Sequence, residues 1–197
     1  VYGVVYLEMG DELYYTIGGN AQKGTSEVAL TSSKSKPGAN GGGQADQRIS
    51  GSGGGYTALL LNTSVNSLTQ STIETGNVLF IAGGGGGAPG PTKNTVKAGN
   101  GGAGGSNSST ATKLSYGTVF SGLDGTIYSG ASSYAGTGGS TTGGTCSEEK
   151  NLDGTFLAGG ESKDRGGAGG AGFYGGAGGA GKGSSDSGSK VAGGGGG

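Results

Sequence analysis

The sequence contains no histidine and no tryptophan, one cysteine (Cys146) and three prolines. Each scarcity removes a class of function. Without histidine there is no Ser-His-Asp triad, no Cys-His pair and no histidine-ligated zinc. One cysteine cannot build a disulfide framework within the chain, and a surface thiol is its plainest reading, ahead of a bridge to another chain. Charge is sparse and balanced, with 12 Lys and Arg against 13 Asp and Glu. The basic residues stand singly, so no stripe follows a phosphate backbone and nucleic acid is not an expected partner. No apolar run nears the roughly 18 residues of a membrane helix, so no membrane insertion is expected within this chain. The chain opens at "VYGVVY" and closes inside "AGGGGG". Both ends read as cuts in a longer protein, and an anchor or targeting segment would lie outside them.

What is present instead is glycine, 54 of 197 residues, beside an apolar content of 30%. A side-chain core cannot span such a chain. Ordering glycine costs roughly 0.5–1 kcal/mol more per residue than ordering alanine in regular structure. Something other than side-chain burial must hold the glycines. They fall in blocks at residues 41–43, 53–55, 83–87, 99–105, 166–181 and 193–197. The blocks lack the strict triplet and abundant proline of collagen. They are not plain linkers either, because alanine intrudes regularly in "GGAGGAGFYGGAGGAG".

Between the blocks lie runs with strand character. "VYGVVYLEMGDELYYTIGG" reads as a hairpin, residues 1–7 and 13–17 around the polar turn 8–12. "YTALLLN" (56–62) and "NVLFIAG" (77–83) are continuous apolar runs, which predicts strands covered on both faces. "YGTVFSG" and "DGTIYSG" are shorter candidates, and no window has a helical period. A mainly β fold with little or no α-helix follows. The glycine blocks suit the extended left-handed helix with three residues per turn, which has no internal hydrogen bonds and points its N–H and C=O groups outward. Such segments can bundle and pair with one another, satisfying groups that burial would otherwise orphan. Alanine every third residue would lie along one edge of a helix. The strand in "NVLFIAGGGGGAPGP" would thus end one layer, and its glycines begin another.

A short repeat, "GLDGTIYSGA" and "NLDGTFLAGG", places Asp124-Gly125 and Asp153-Gly154 at two expected tight turns. A calcium site there would need more oxygen donors than the repeat supplies. Sequons at Asn62-Thr63-Ser64 and Asn107-Ser108-Ser109 would accept N-glycans in a secreting eukaryote. "GNGGAG" matches G-x-G-x-x-G formally, without the strand-to-helix context that dinucleotide binding requires. "GAGGAGKGS" approximates a phosphate loop, but Gly183 replaces the metal-binding Ser or Thr. The acidic groups Glu148, Glu149 and Asp153, and Glu161 with Asp164, read as solvated turns rather than glycosidase carboxylates. No catalytic residue, metal or cofactor is expected.

These words resemble a known domain. "VYGVVYLEMGDELYYTIGGNAQ", "GGGYTALLLN…NVLFIAGGGGGAPG" and "GGAGGAGFYGGAGGAG" are similar, in order and spacing, to the glycine-rich extracellular domain of anaplastic lymphoma kinase and leukocyte tyrosine kinase. Similar modules occur in bacterial, phage and protist surface proteins. The resemblance implies one domain over residues 1–197, a jelly-roll-like β-sandwich carrying a bundle of polyglycine II helices. It also implies an extracellular, non-catalytic recognition or adhesion module, with a structural subunit of a fibre, filament or virion appendage as the alternative. Partners would be a protein or glycan on another surface, or copies of the chain itself. The cysteines of the kinase domain are mostly lacking here, and no receptor contact can be matched.

The aromatics divide by context. Tyr2, Tyr6, Tyr14, Phe80 and Phe120 lie in strand runs and read as core. Phe173-Tyr174 interrupts the longest glycine block and reads as a wedge between bundle and sandwich. Tyr128 and Tyr134 stand among Ser and Gly, the composition of adaptable recognition loops. They are the candidate ligand-binding residues.

Overall fold

The computed structural model describes residues 4–24, 34–47, 49–69, 77–90, 100–105, 111–114, 117–126, 135–147, 149–181 and 194–197. Among these, the regular structure is strand, with single 3₁₀ turns at Val65–Ser67 and Lys150–Leu152. Strands β1 (Leu13–Thr16), β2 (Thr57–Leu61) and β3 (Val78–Ala82) form an antiparallel sheet in that spatial order, and β4 (Ala111–Leu114) pairs with β5 (Gly117–Phe120). The fold is mainly β, as the apolar runs predict.

The central strand sets the core. Side chains alternate across a strand, and on β2 Ala58 and Leu60 are fully buried while Thr57, Leu59 and Leu61 are half-buried. Ala58 and Leu60 pack with Tyr56 and Ala171, and Leu68, Val78, Ile81 and Leu157 close the cluster. Burial raises the pKa of the Tyr56 hydroxyl. β3 is half-buried throughout, so neither it nor β2 is covered on both faces as the continuous apolar runs suggest. A register shift between Leu59 and Leu60 bends the β2–β3 pairing.

Among the described residues the N-terminal hairpin forms only its turn. The Glu8 N–H donates to Asp11 Oδ2 at 2.7 Å, and the Asp11 N–H donates to the Glu8 carbonyl at 3.1 Å. β1 then pairs with β2, Leu13 opposite Leu61 and Thr16 opposite Ala58, rather than with the preceding arm. Asn62, in the left-handed region at φ 54, clamps this junction. Its Nδ2 donates to Asp11 Oδ1 at 2.8 Å and its Oδ1 accepts from the Glu12 N–H at 2.7 Å. The amide nitrogen that a glycan would need is therefore engaged.

Several aromatics read as core are exposed. Tyr6 is 92% accessible in the unpaired arm, and Tyr14 and Phe120 lie on exposed strands. A strand face is covered only by a second packed layer, and among the described residues none covers these side chains. Tyr2 lies outside the described residues. Cys146, read as a surface thiol, is buried with Leu152, Ala177 and Ala180 in a second small cluster.

The glycine segments carry no strand ladder, yet their backbones are densely hydrogen-bonded to one another. Residues 167–171 stand at the centre. Ala168 and Ala171 donate to Gly51 and Gly54, Gly169 donates to Gly160, and Gly170 donates to Gly195. The carbonyls of Ala168 and Ala171 accept from Gly87 and Gly84, that of Gly169 from Gly43, and those of Gly167 and Gly170 from Gly179 and Gly176. These bonds span 2.7–3.1 Å and reach six different segments. Along each pair, contacts recur every third residue: 168 and 171 to 51 and 54, 102 and 105 to 194 and 197. The whole segment is buried.

Such packing leaves room for a side chain at some positions only, and at none of residues 194–197. A Cβ on Gly53 would run into the Gly169 carbonyl oxygen, and one on Gly55 into that of Ala39, whereas on Gly54 it would find its nearest heavy atom at 3.5 Å. The alanines use such positions. Ala171 joins the sheet core, and Ala177 and Ala180 join Cys146.

The Asp-Gly repeat serves these segments too, though not as a pair of tight turns. The Gly125 N–H donates to the Gly136 carbonyl while Asp124 Oδ1 accepts from the Gly138 N–H at 2.9 Å. In parallel, the Gly154 N–H donates to the Gly144 carbonyl while Asp153 Oδ1 accepts from the Cys146 N–H at 3.1 Å. One dipeptide thus grips a neighbouring extended segment at residues j and j+2, twice.

Candidate functional site

Sequence places the candidate site at Tyr128 and Tyr134, and both lie outside the described residues. So do Glu148, Lys182, Gly183 and the Asn107 sequon. Of the remaining acidic residues, Glu149 faces Lys163 at 2.6 Å and Glu161 faces Lys34 at 3.5 Å. The Glu149 contact raises the Lys163 pKa. Among the described residues no group of three or more potential metal ligands converges.

The structure instead builds a cleft of about 330 Å³ between the two sheets. One wall is β3 entire, Val78, Leu79, Phe80, Ile81 and Ala82, and the other is Thr118, Val119 and Phe120 of β5. Phe173 and Tyr174 line it further, with Gly83, Gly105, Gly139 and Gly197 between the side-chain-bearing walls. Consecutive residues of a strand point alternately to opposite faces. A wall made of five consecutive residues is therefore a strand edge, and among the described residues β3 is the last strand of its sheet.

The aromatic end is fixed by local packing. Phe173, Tyr174 and Phe156 meet edge to face, with ring centroids 5.2–6.0 Å apart. Pairs in this geometry contribute roughly 0.5–1.5 kcal/mol beyond the area they bury. The interruption "FY" in the glycine block thus sets an aromatic post beside β3 and β5.

Among the described residues the cleft's lining carries no Asp, Glu, Lys or Arg. It is suited to binding through shape, apolar contact and the backbone groups of strand edges. Sequence reasoning missed it because Phe80 and Phe120 were read as core, and because β4 went unrecognised. The two residues between Leu114 and Gly117 are Ser-Tyr, not the Asn-Gly or Gly-containing pair that signals a two-residue hairpin, so no local pattern marked the β4–β5 pairing. A second depression, bounded by Gly19, Asn20, Gln22, Lys34, Lys36 and Pro37, is more open and has no aromatic wall.

Among the described residues no helix is long and apolar enough to cross a membrane. The chain matches no family model, no curated protein and no solved structure in the comparisons made with each.

Proposed function

We propose that the chain is a non-catalytic, extracellular recognition module in which a bundle of polyglycine II helices is a rigid scaffold and the β3–β5 cleft is the binding surface. The carrying observation is an uncharged, aromatic-ended cleft resting on glycine segments bonded to several neighbours each. Partner recurrence at every third residue supports the helical reading, since three residues per turn is the period of that helix. The two antiparallel sheets are then the visible part of a jelly-roll-like sandwich, in keeping with the resemblance to the glycine-rich receptor-kinase domain. Ligands are a protein or glycan on another surface, or further copies of the chain.

Rigid scaffolds lose little entropy on binding, which is how preorganisation raises affinity. Labelled protein on peptide arrays, glycan arrays and cell surfaces tests the reading. A ligand so retained should bind Phe120→Ala at least about tenfold more weakly, or ~1.4 kcal/mol, and Lys36→Ala unchanged. Equal binding by both variants would count against the cleft. One observation favours the second reading, a structural subunit of a fibre or appendage: the exposed apolar arm before β1.

A further inference from the structure

Two features of the molecule complement each other. The first is the arm at residues 4–7, Val-Val-Tyr-Leu, which makes no backbone hydrogen bond among the described residues. Its exposure alternates, 87% at Val4 and 92% at Tyr6 against 40% at Val5 and 48% at Leu7. That alternation is the signature of an extended segment with one face bare. The second is the cleft, whose walls are the outer edge of β3 and part of β5. An open edge presents unpaired N–H and C=O groups and is a template for another strand.

We propose that residues 4–7 of one copy dock as an added strand in the β3–β5 cleft of a second copy. This rests on the reading of the cleft as the binding surface and adds its occupant. Three observations select a second copy over an unrelated partner. Arm and cleft lining are both without charge, so neither buries an unpaired ion on docking. The arm's four residues match the five of β3 in length. Each copy supplies one bare strand and one open edge, so the two features saturate each other. In strand addition, main-chain bonds give affinity and alternate side chains enter pockets. Here Val4 and Tyr6 form the bare face that enters, beside Phe80, Phe120 and Tyr174.

Geometry also sets the mode of assembly. The arm leads into β1, and among the described residues β1 and β3 are opposite edges of one sheet. Donor and acceptor are different surfaces, so the contact is head to tail and propagates along a row of copies.

Sedimentation velocity over a wide concentration range tests this with variants at exposed positions, where folding is not at stake. Wild type should grow beyond dimers. Tyr6→Lys, which spoils the arm, and Thr118→Arg, which spoils the cleft, should each remain monomeric. Mixed, they should give a heterodimer and nothing larger, because only one good arm and one good cleft are present. A synthetic peptide of residues 1–9 should bind the Tyr6→Lys monomer and lose at least about tenfold in affinity for Thr118→Arg. A wild type that stays monomeric, or association that survives both substitutions, overturns the proposal. If the wild type is monomeric and the peptide still binds in a Thr118-dependent way, the second copy is wrong and the cleft stands as binding surface. If peptide binding ignores Thr118→Arg, the cleft reading falls as well.

Discussion

The three-stranded sheet and the glycine bundle are ordered by opposite means. In the sheet, Leu60 and Ala58 disappear into a side-chain core and, among the described residues, the outer strand edges stay open. In the bundle, residues 167–171 have almost no side chain to bury, and their amides and carbonyls reach six neighbouring segments. A buried backbone group left unbonded costs about 1–3 kcal/mol, so the bundle's register is enforced by what each displaced bond would lose. The sheet tolerates a change of shape better than a loss of volume. The bundle tolerates neither, except at positions such as 54 and 85 that face away from their neighbours.

Four perturbations would break or sharpen this contrast. The largest is Leu60→Ala, which removes the biggest fully buried side chain among the described residues. It should cost about 2–5 kcal/mol in urea unfolding, as buried leucine truncations do. Next is Gly169→Val, whose Cβ would enter the space of the Gly176 carbonyl. Overpacking of this kind costs about 1–3 kcal/mol, and an unchanged melting temperature would contradict the bundle geometry. The third is a matched pair one residue apart. Gly53→Ala meets the Gly169 carbonyl and should destabilise, whereas Gly54→Ala has its nearest contact at 3.5 Å and should be neutral or gain about 0.4–1 kcal/mol through the unfolded state. Equal effects at the two positions would remove the three-residue periodicity.

The smallest effect concerns the junction of the arm with the sheet. Hydrogen bonds from the Glu8 backbone and then the Asn62 side chain hold the Asp11 pKa below its ordinary value. A depressed folded-state pKa adds stability that is present above the unfolded value, near 3.9 for aspartate, and is lost as pH falls through the lower folded value. Wild type should therefore exceed Asp11→Ala in urea midpoint near neutrality, with the gap closing below about pH 4. A gap that widens on acidification would assign the stabilisation elsewhere.

Much of this was legible in the sequence, and the failures have a common cause. The apolar words of β2 and β3 fix those strands because a run of branched and aromatic residues has few other uses. The turn at Glu8–Asp11 was legible from its polar residues, but its clamp, Asn62, lies far along the chain. The Leu-Asp-Gly repeat was visible, while its grip on Gly138 and Cys146 depends on which segments lie alongside. Cys146 was misplaced for the same reason. Glycine encodes close approach without encoding a partner, so the residues that interrupt it carry the addressing: alanine at the permissive positions, Asp-Gly at the clamps, Phe-Tyr at the cleft. The cleft itself follows from tertiary pairing, which no local pattern specifies.

The central segment has a consequence for how the chain folds. Residues 167–171 bond to residue 43 near the start and to residue 195 near the end. No local part of the chain can complete their environment. Contacts of such long sequence separation make folding slow, because the entropy of closing large loops is lost before the contacts form. The bundle therefore cannot close until segments far apart in the chain have come together, which makes its completion a slow, long-range step of folding.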